Sequence, residues 1–370
     1  MLCIIENNMT NTNPEEVPQS PVSKIPHQLI IFGPPGTGKS YKIHGREEGS
    51  YWKESYAMQL EIASSEQIVN AVFHPEYTYG DFMGRLLPMS TPDGGKVKYV
   101  YRPGHFLIAL AEAYKRLGKG GNVLFVIDEL NRGNAAAIFG SVFNLLDRND
   151  AGWSSYPISL SNMEYESFLQ QLLPDALAFN IPGAQVMLKD TKSFTDIARC
   201  LDNVKEQILE SRDGVDLMTF KIQLPPNLYI LSTINTSDES IYYMDSAFKR
   251  RWDWEYMDED GNVMNISVPD DLEWKSFRVN LNQFLKSQSS SIRRLEDKLL
   301  GPRFIKGTDS EAGKKMNERD LAKVMFHLWD SVFAREKKPL EIKSGNAKLN
   351  TFGDFVKQVS VFVNAVNTGS

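Results

Sequence analysis

Short apolar runs, each closed by a glycine or a polar residue, punctuate the first two thirds of the chain. Residues 28–32 (Gln-Leu-Ile-Ile-Phe), 71–74, 123–127 (Val-Leu-Phe-Val-Ile) and 227–231 are of this kind. Such runs predict strands buried on both faces, as in a parallel sheet; a half-exposed antiparallel strand would alternate. Residues 96–101 do alternate and read as one arm of a hairpin, and 251–256 read as a last strand. Helical spacing falls between them. Residues 103–116 carry Phe106, Leu107, Leu110 and Ala113 on one face, 135–146 are amphipathic, a helix is expected from Gly38, 79–86 form a helical-turn region, and 244–250 a short helix. Residues 118–121 are a turn. The pattern loosens over 148–221, a stretch too long for a plain loop. Two helical segments within it, 164–173 and 194–210, suggest an inserted subdomain. Beyond Pro269 the pattern is almost wholly helical, with candidates at 272–285, 291–299, 318–333 and 352–366. The first 26 residues, rich in Asn, Pro, Glu and Ser, read as a flexible leader. The expected architecture is therefore α/β: a parallel sheet with helices on both faces over 27–262, then a smaller helical domain over 263–370.

Composition narrows the function classes. A formal net charge of −6 argues against a protein whose main task is coating nucleic acid, which needs clustered Lys and Arg. No apolar run approaches the roughly 18 residues that span a bilayer, and no signal peptide is evident. Two cysteines, Cys3 and Cys200, cannot build a disulfide framework or a zinc site, which suggests the reducing cytoplasm. The five histidines show no metal-ligand spacing.

The chemistry gathers where predicted strands end. Gly33-Pro34-Pro35-Gly36-Thr37-Gly38-Lys39-Ser40 follows the strand at 28–32 and opens a helix, fitting the Walker A phosphate loop. Its glycines let backbone N–H groups turn inward around phosphate oxygens, Lys39 supplies a mobile cation for the β- and γ-phosphates, and the Ser40 hydroxyl is a ligand for Mg²⁺. Asp128 and Glu129 end the strand at 123–127. Acids there project from the carboxyl edge of the sheet, Asp128 toward Mg²⁺ and Glu129 toward an attacking water. The next strand ends in Asn235-Thr236-Ser237-Asp238. Asn235 is placed to hold the water against the γ-phosphate; Asp238 could meet the nucleotide, a neighbouring arginine or the metal shell. Lys249-Arg250-Arg251 at a helix end offers an arginine finger, with either Arg250 or Arg251 in the role.

The order of these motifs resembles the AAA+ P-loop NTPases, and four of them resemble the McrB-like branch. Phe73-His74-Pro75-Glu76-Tyr77-Thr78-Tyr79-Gly80-Asp81-Phe82, Asp128-Glu129-Leu130-Asn131-Arg132-Gly133-Asn134, Asn235-Thr236-Ser237-Asp238 and Ala247-Phe248-Lys249-Arg250-Arg251-Trp252 are similar to that branch's signatures. Gly301-Pro302-Arg303-Phe304 falls where the family's small domain approaches the nucleotide, which makes Arg303 a sensor candidate. The resemblance implies a nucleoside-triphosphatase motor subunit of a modification-dependent restriction system. Such subunits form ring oligomers, commonly hexamers, act with a separately encoded nuclease partner, and meet DNA through the assembly. Many use GTP, whereas AAA+ proteins at large use ATP, so both substrates stay open. Asn235-Thr236-Ser237-Asp238 is only weakly similar to the guanine reader of small GTPases and is badly placed to read a base. The chain departs from the family in its long 148–221 stretch, in Ser237 for an alanine, and in lacking a DNA-reading domain before Gly33. An ATP-dependent assembly factor or chaperone with no DNA role is the alternative. No nuclease constellation is visible.

Overall fold

The computed structural model describes residues 25–45, 55–90, 97–117, 120–172, 178–180, 185–187, 221–235, 242, 244–305 and 314–369. Its centre is a five-stranded parallel sheet in the order β11-β1-β10-β5-β2. The strands are β1 (Gln28–Gly33), β2 (Ile68–Val72), β5 (Val123–Asp128), β10 (Leu228–Asn235) and β11 (Asp253–Tyr256). β1 lies between β10 and β11, with Gly33 level with Asn235 and Phe32 level with Tyr256. β10 pairs in turn with β5, Ser232 beside Ile127. Outside this sheet, β3 (Gly84–Ser90) and β4 (Val97–Pro103) form an antiparallel hairpin, β6 (Ile158–Ser159) pairs with β9 (Lys221–Ile222), and β7 (Ala178–Asn180) with β8 (Gln185–Met187).

The two-sided burial follows from the period of two along each strand. Ile30 and Phe32 of β1, Phe125 and Ile127 of β5 and Ile230 of β10 enter one core. Leu29 and Ile31, Leu124 and Val126, and Tyr229 and Leu231 enter a second core on the other face. Helices α1 (Lys39–His44) and α2 (Tyr56–Gln59) cover the second face through Ile43, Tyr56 and Ala57. On the first face lie α3 (Tyr79–Phe82), α4 (His105–Leu117) and α5 (Ala135–Phe139). There Phe82 stacks on Phe106 at 4.9 Å and meets Phe139 at 4.7 Å. The doubly covered parallel sheet is the expected one.

α6 (Asn162–Leu172) packs against α4 through Phe168, whose ring meets Tyr114 at 5.5 Å. The predicted helix at 194–210 lies outside the described residues, as does the leader up to residue 24. After α7 (Ser246–Lys249) and β11, the chain is mainly helical: α8 (Trp274–Ser287), α9 (Glu318–Phe326), α10 (Lys338–Lys343), α11 (Phe352–Lys357) and α12 (Val359–Thr368). This helical region docks on the sheet edge through aromatic rings. Phe326 sits 4.5 Å from Phe32 and 4.2 Å from Trp254, and Phe352 sits 5.2 Å from Phe32. The strand that delivers the phosphate loop is thus held by the region that follows it.

Several elements differ from their sequence reading for identifiable reasons. The helical stretch expected at 79–86 stops after Phe82; Gly84, at φ 143, turns the chain into β3, which pairs with β4 up to Pro103. Pro103 is consumed by that pairing, so α4 starts at His105. β2 covers 68–72, not 71–74, because Ile68 pairs with Leu124 at the start of β5. The helix expected over 135–146 breaks at Gly140 (φ 49), and 140–146 continue as 3₁₀ turns. Of 291–299 only Leu295–Lys298 is helical, a 3₁₀ turn entered through Arg294 at φ 50. The helix expected at 318–333 is α9 followed by a π-helical turn, His327–Val332. The expected helix 352–366 is two helices, hinged at Gln358 (φ −101, ψ 9).

Candidate active site

The phosphate loop leaves β1 at Gly33 and enters α1 at Lys39. Gly36 and Gly38 take φ 79 and 90, left-handed values that favour glycine. Gly33 has no room for a side chain, since a Cβ there would lie 2.1 Å from the Met257 carbonyl oxygen. Lys39 is buried, and its Nζ donates to the carbonyls of Gly33 (3.1 Å) and Pro34 (2.6 Å). The loop therefore curls around its own lysine. Thr37 Oγ1 donates back to Pro34 O at 3.1 Å, which tightens the same curl.

The tips of β5 and β10 reach the loop from the side. Ser40 Oγ donates to Asp128 Oδ1 at 3.3 Å, and Thr233 Oγ1 donates to the same oxygen at 2.9 Å. Glu129 takes φ 57, ψ 44, a left-handed backbone that costs a non-glycine residue roughly 1–3 kcal/mol. Its N–H is satisfied by Thr233 Oγ1 at 3.2 Å. This turn sends the Glu129 carboxylate across to the end of β10, where Asn235 Nδ2 donates to Oε1. Arg132 Nε stands 3.3 Å from the other oxygen, and Asn131 Nδ2 donates to Asn235 O at 3.3 Å. Burial holds the nearby His44 of α1 below the ordinary histidine pKa, while the charge of Asp128 works in the opposite sense.

Ser40, Asp128, Glu129 and Asn235 thus stand together beside the loop. The sequence motifs do not point to Thr233, and they name the bracing residues Asn131 and Arg132 only within a family signature, with no role. Thr233 had a signal: it lies two residues before Asn235, so both point to the same face at the end of one strand. Asp238 lies outside the described residues.

A cavity of about 680 Å³ opens beside the loop, lined by Gly36, Thr37, Gly38, Tyr41, Lys42 and the turn from Met257 to Val263. That turn is pressed close, for a Cβ on Gly261 would lie 2.8 Å from Thr37 O.

The cations at the end of α7 and just beyond it part company. Arg251, 7% exposed, donates through Nε (3.0 Å) and Nη2 (2.6 Å) to Asp147 Oδ2, and through Nη1 to Ala247 O; its guanidinium covers the Phe143 ring at 3.9 Å. Lys249 is buried against Asp330 and Ser331 of the π-helical turn. Arg250 lies between them, and its buried Nε has no hydrogen-bond partner among the described residues. Arg303 does not line the cavity at the phosphate loop. It lines a separate one of about 320 Å³, together with Arg250 and His327.

No family model matches the chain. It is 28% identical over 344 residues to the Bacillus subtilis type II restriction enzyme BsuMI component YdiS, covering 85% of this chain and 81% of that one. It is 25% identical over 231 residues to the Escherichia coli type IV methyl-directed restriction enzyme EcoKMcrB subunit, covering 62% of this chain but only 34% of that longer one. Among solved structures, Caenorhabditis elegans PCH-2 superposes with a TM-score of 0.19 at 11% identity, over 93% of this chain and 61% of that one, too loosely to bear on the assignment. The kinship to two restriction-system components agrees with the strand order and the loop, acid and asparagine constellation. The chain is thus similar to McrB-like restriction-system components, and its parallel sheet carries a P-loop at the end of β1.

Proposed function

We propose that the protein hydrolyses a nucleoside triphosphate, GTP or ATP, as one subunit of a ring oligomer, commonly a hexamer in this family. In this reading hydrolysis drives a separately encoded nuclease partner in DNA restriction, and DNA is met through the assembly. The observation that carries the reading is the cluster at the carboxyl edge of the sheet: Ser40 against Asp128, and Glu129 held by Asn235.

In such a site the backbone of residues 33–38 cradles the phosphates, and Lys39 leaves its own carbonyls to meet the β- and γ-oxygens. Ser40 Oγ and Asp128 Oδ1, 3.3 Å apart, are hard oxygen donors of the kind that would hold Mg²⁺. Bound there, Mg²⁺ would neutralise charge building on the phosphates. Glu129 takes the proton of the attacking water, while Asn235 fixes the carboxylate on one side and Arg132 flanks it on the other. Arg250 serves as the finger and acts on a neighbouring copy, since Arg251 is bound within its own fold.

The test is a side-by-side ATP and GTP hydrolysis series across protein concentration. Specific activity should climb as subunits associate and then level off, with one purine preferred. A specific activity that is flat from nanomolar to micromolar protein would contradict a finger supplied by a neighbour.

A further inference from the structure

Thr233 lies near the end of β10 and is 3% exposed. Ile31 of β1 stands level with it on one side. On the other, the register that sets Ser232 beside Ile127 brings Asp128 of β5 one rung further on. The alternation along these strands fixes the face. Leu124 and Val126 point, with Leu231, into the core that α1 covers, so Asp128 and Thr233 project on the same side as α1 and its Ser40. A β-branched residue in a strand has little freedom at χ1, so the backbone sets the direction of the Thr233 hydroxyl.

The roles of that hydroxyl follow from its neighbours. A carboxylate can only accept and a backbone N–H can only donate. Thr233 Oγ1 therefore gives its one proton to Asp128 Oδ1, at 2.9 Å, and accepts the Glu129 N–H, at 3.2 Å. Ser40 Oγ reaches the same carboxylate oxygen from 3.3 Å and from an exposed position. A single buried hydroxyl thus ties the side chain of one acid to the backbone of the next. The N–H it accepts belongs to the residue at φ 57, and that turn carries the Glu129 carboxylate to Asn235. An unfavourable backbone of this kind persists only where its surroundings hold it.

We propose that Thr233 is a positioning residue for hydrolysis: its hydroxyl orients the Asp128 carboxylate and holds the Glu129 turn, so that one group fixes the spacing between the metal-side oxygen and the proton acceptor. The inference rests on the hydrolysis reading above and adds a residue that works through the two acids. Ser232 supplies the contrast. It is the preceding residue, is fully buried, projects to the opposite face, and its hydroxyl has no hydrogen-bond partner among the described residues. Two adjacent buried hydroxyls therefore differ in what they bond, and only one of them reaches the acids.

Conservative variants of the full chain test this. Thr233→Val keeps the shape and the branching and removes the hydroxyl; Thr233→Ser keeps the hydroxyl. Thr233→Val should lose about 10²-fold in kcat, as a misplaced catalytic group does, with KM for the preferred triphosphate moved far less. Thr233→Ser should recover most of that loss, and Ser232→Ala should turn over like the wild type. Amide hydrogen exchange over residues 128–132, followed without nucleotide, should quicken in Thr233→Val and stay at the wild-type rate in Thr233→Ser. Added to Glu129→Gln, Thr233→Val should slow turnover hardly further, because the group it positions is already disabled. Losses that multiply in the double variant would mean general damage and overturn the inference, as would Ser232→Ala falling as far as Thr233→Val. Wild-type turnover in Thr233→Val beside an inactive Glu129→Gln would overturn it too and leave the hydrolysis reading intact. Wild-type turnover in Glu129→Gln would remove that reading, and this inference with it.

Discussion

At the carboxyl edge of the sheet, Ser40, Asp128, Thr233, Glu129 and Asn235 bond chiefly to one another, whereas at the α7 seam the neighbours of Arg250 bond to the fold around them. The first region is a closed set within one chain, and its parts come from the first turn of α1 and from strand ends whose level is set by the sheet register. The second consists of three consecutive cations given three fates. Lys249 ties α7 to the π-helical turn, Arg251 ties it to Asp147, and Arg250 faces the cavity. Adjacent residues of like charge are therefore not interchangeable; what surrounds each decides whether it holds the fold or meets a ligand.

Replacing the two arginines in turn gives the sharpest test of that difference. Arg250→Ala should lower hydrolysis on the order of 10³-fold, as loss of an arginine finger does, with little change in melting temperature. Arg251→Ala should instead cost about 1.5 kcal/mol of stability, since it removes the hydrogen bonds to the half-exposed Asp147 and to Ala247 O and the cover from Phe143. Steady-state rates and urea titrations on both variants would separate the roles. Equal stability losses in the two would erase the distinction.

His327 extends the contrast to pH. Its folded pKa, about 4, lies below the ordinary 6.5 because burial disfavours the charged ring. Between these values the unfolded chain binds the proton and the folded chain does not, so stability rises with pH across this window and is lost as pH falls from 6.5 toward 4. The loss at the acid end is roughly 3 kcal/mol. Melting curves of the wild type should show this acid limb, and those of His327→Leu should be flatter. An unchanged pH slope in that variant would mean that His327 does not titrate as described.

The smallest effect is expected where the turn of 257–263 meets the phosphate loop. Gly261 has φ 80, and a Cβ there would press within 2.8 Å of Thr37 O. Gly261→Ala should cost about 1 kcal/mol through its backbone and weaken triphosphate binding a few-fold by displacing the loop. Nucleotide titration and thermal melting measure the two parts separately; an unaltered affinity would show that the turn does not brace the loop.

The central strands were legible because β1, β5 and β10 are buried on both faces and so read as unbroken apolar runs. The polar tips were legible because charge after such a run can only sit at the sheet edge. What escaped sequence reading depends on partners distant in the chain. Residues 84–90 become a strand only because 97–103 lie alongside, and Gln358 breaks a helix whose apolar pattern runs through it. Thr233 reads in the sequence as strand interior, and only its bond to Asp128 distinguishes it. Arg250 and Arg251 could not be told apart by sequence, since the group that claims Arg251 is Asp147, a hundred residues earlier. That Arg303 lines the same cavity as Arg250 depends likewise on the packing of the helical region.

Glu129→Gln provides the most direct measurement of the account. The amide preserves the shape of the side chain and removes its basicity. The variant should bind Mg²⁺ and the preferred triphosphate with near wild-type affinity while turnover falls about 10²–10⁴-fold. Turnover at the wild-type rate with binding intact would contradict the assignment of the proton acceptor and, with it, the reading of the sheet edge as the site of hydrolysis.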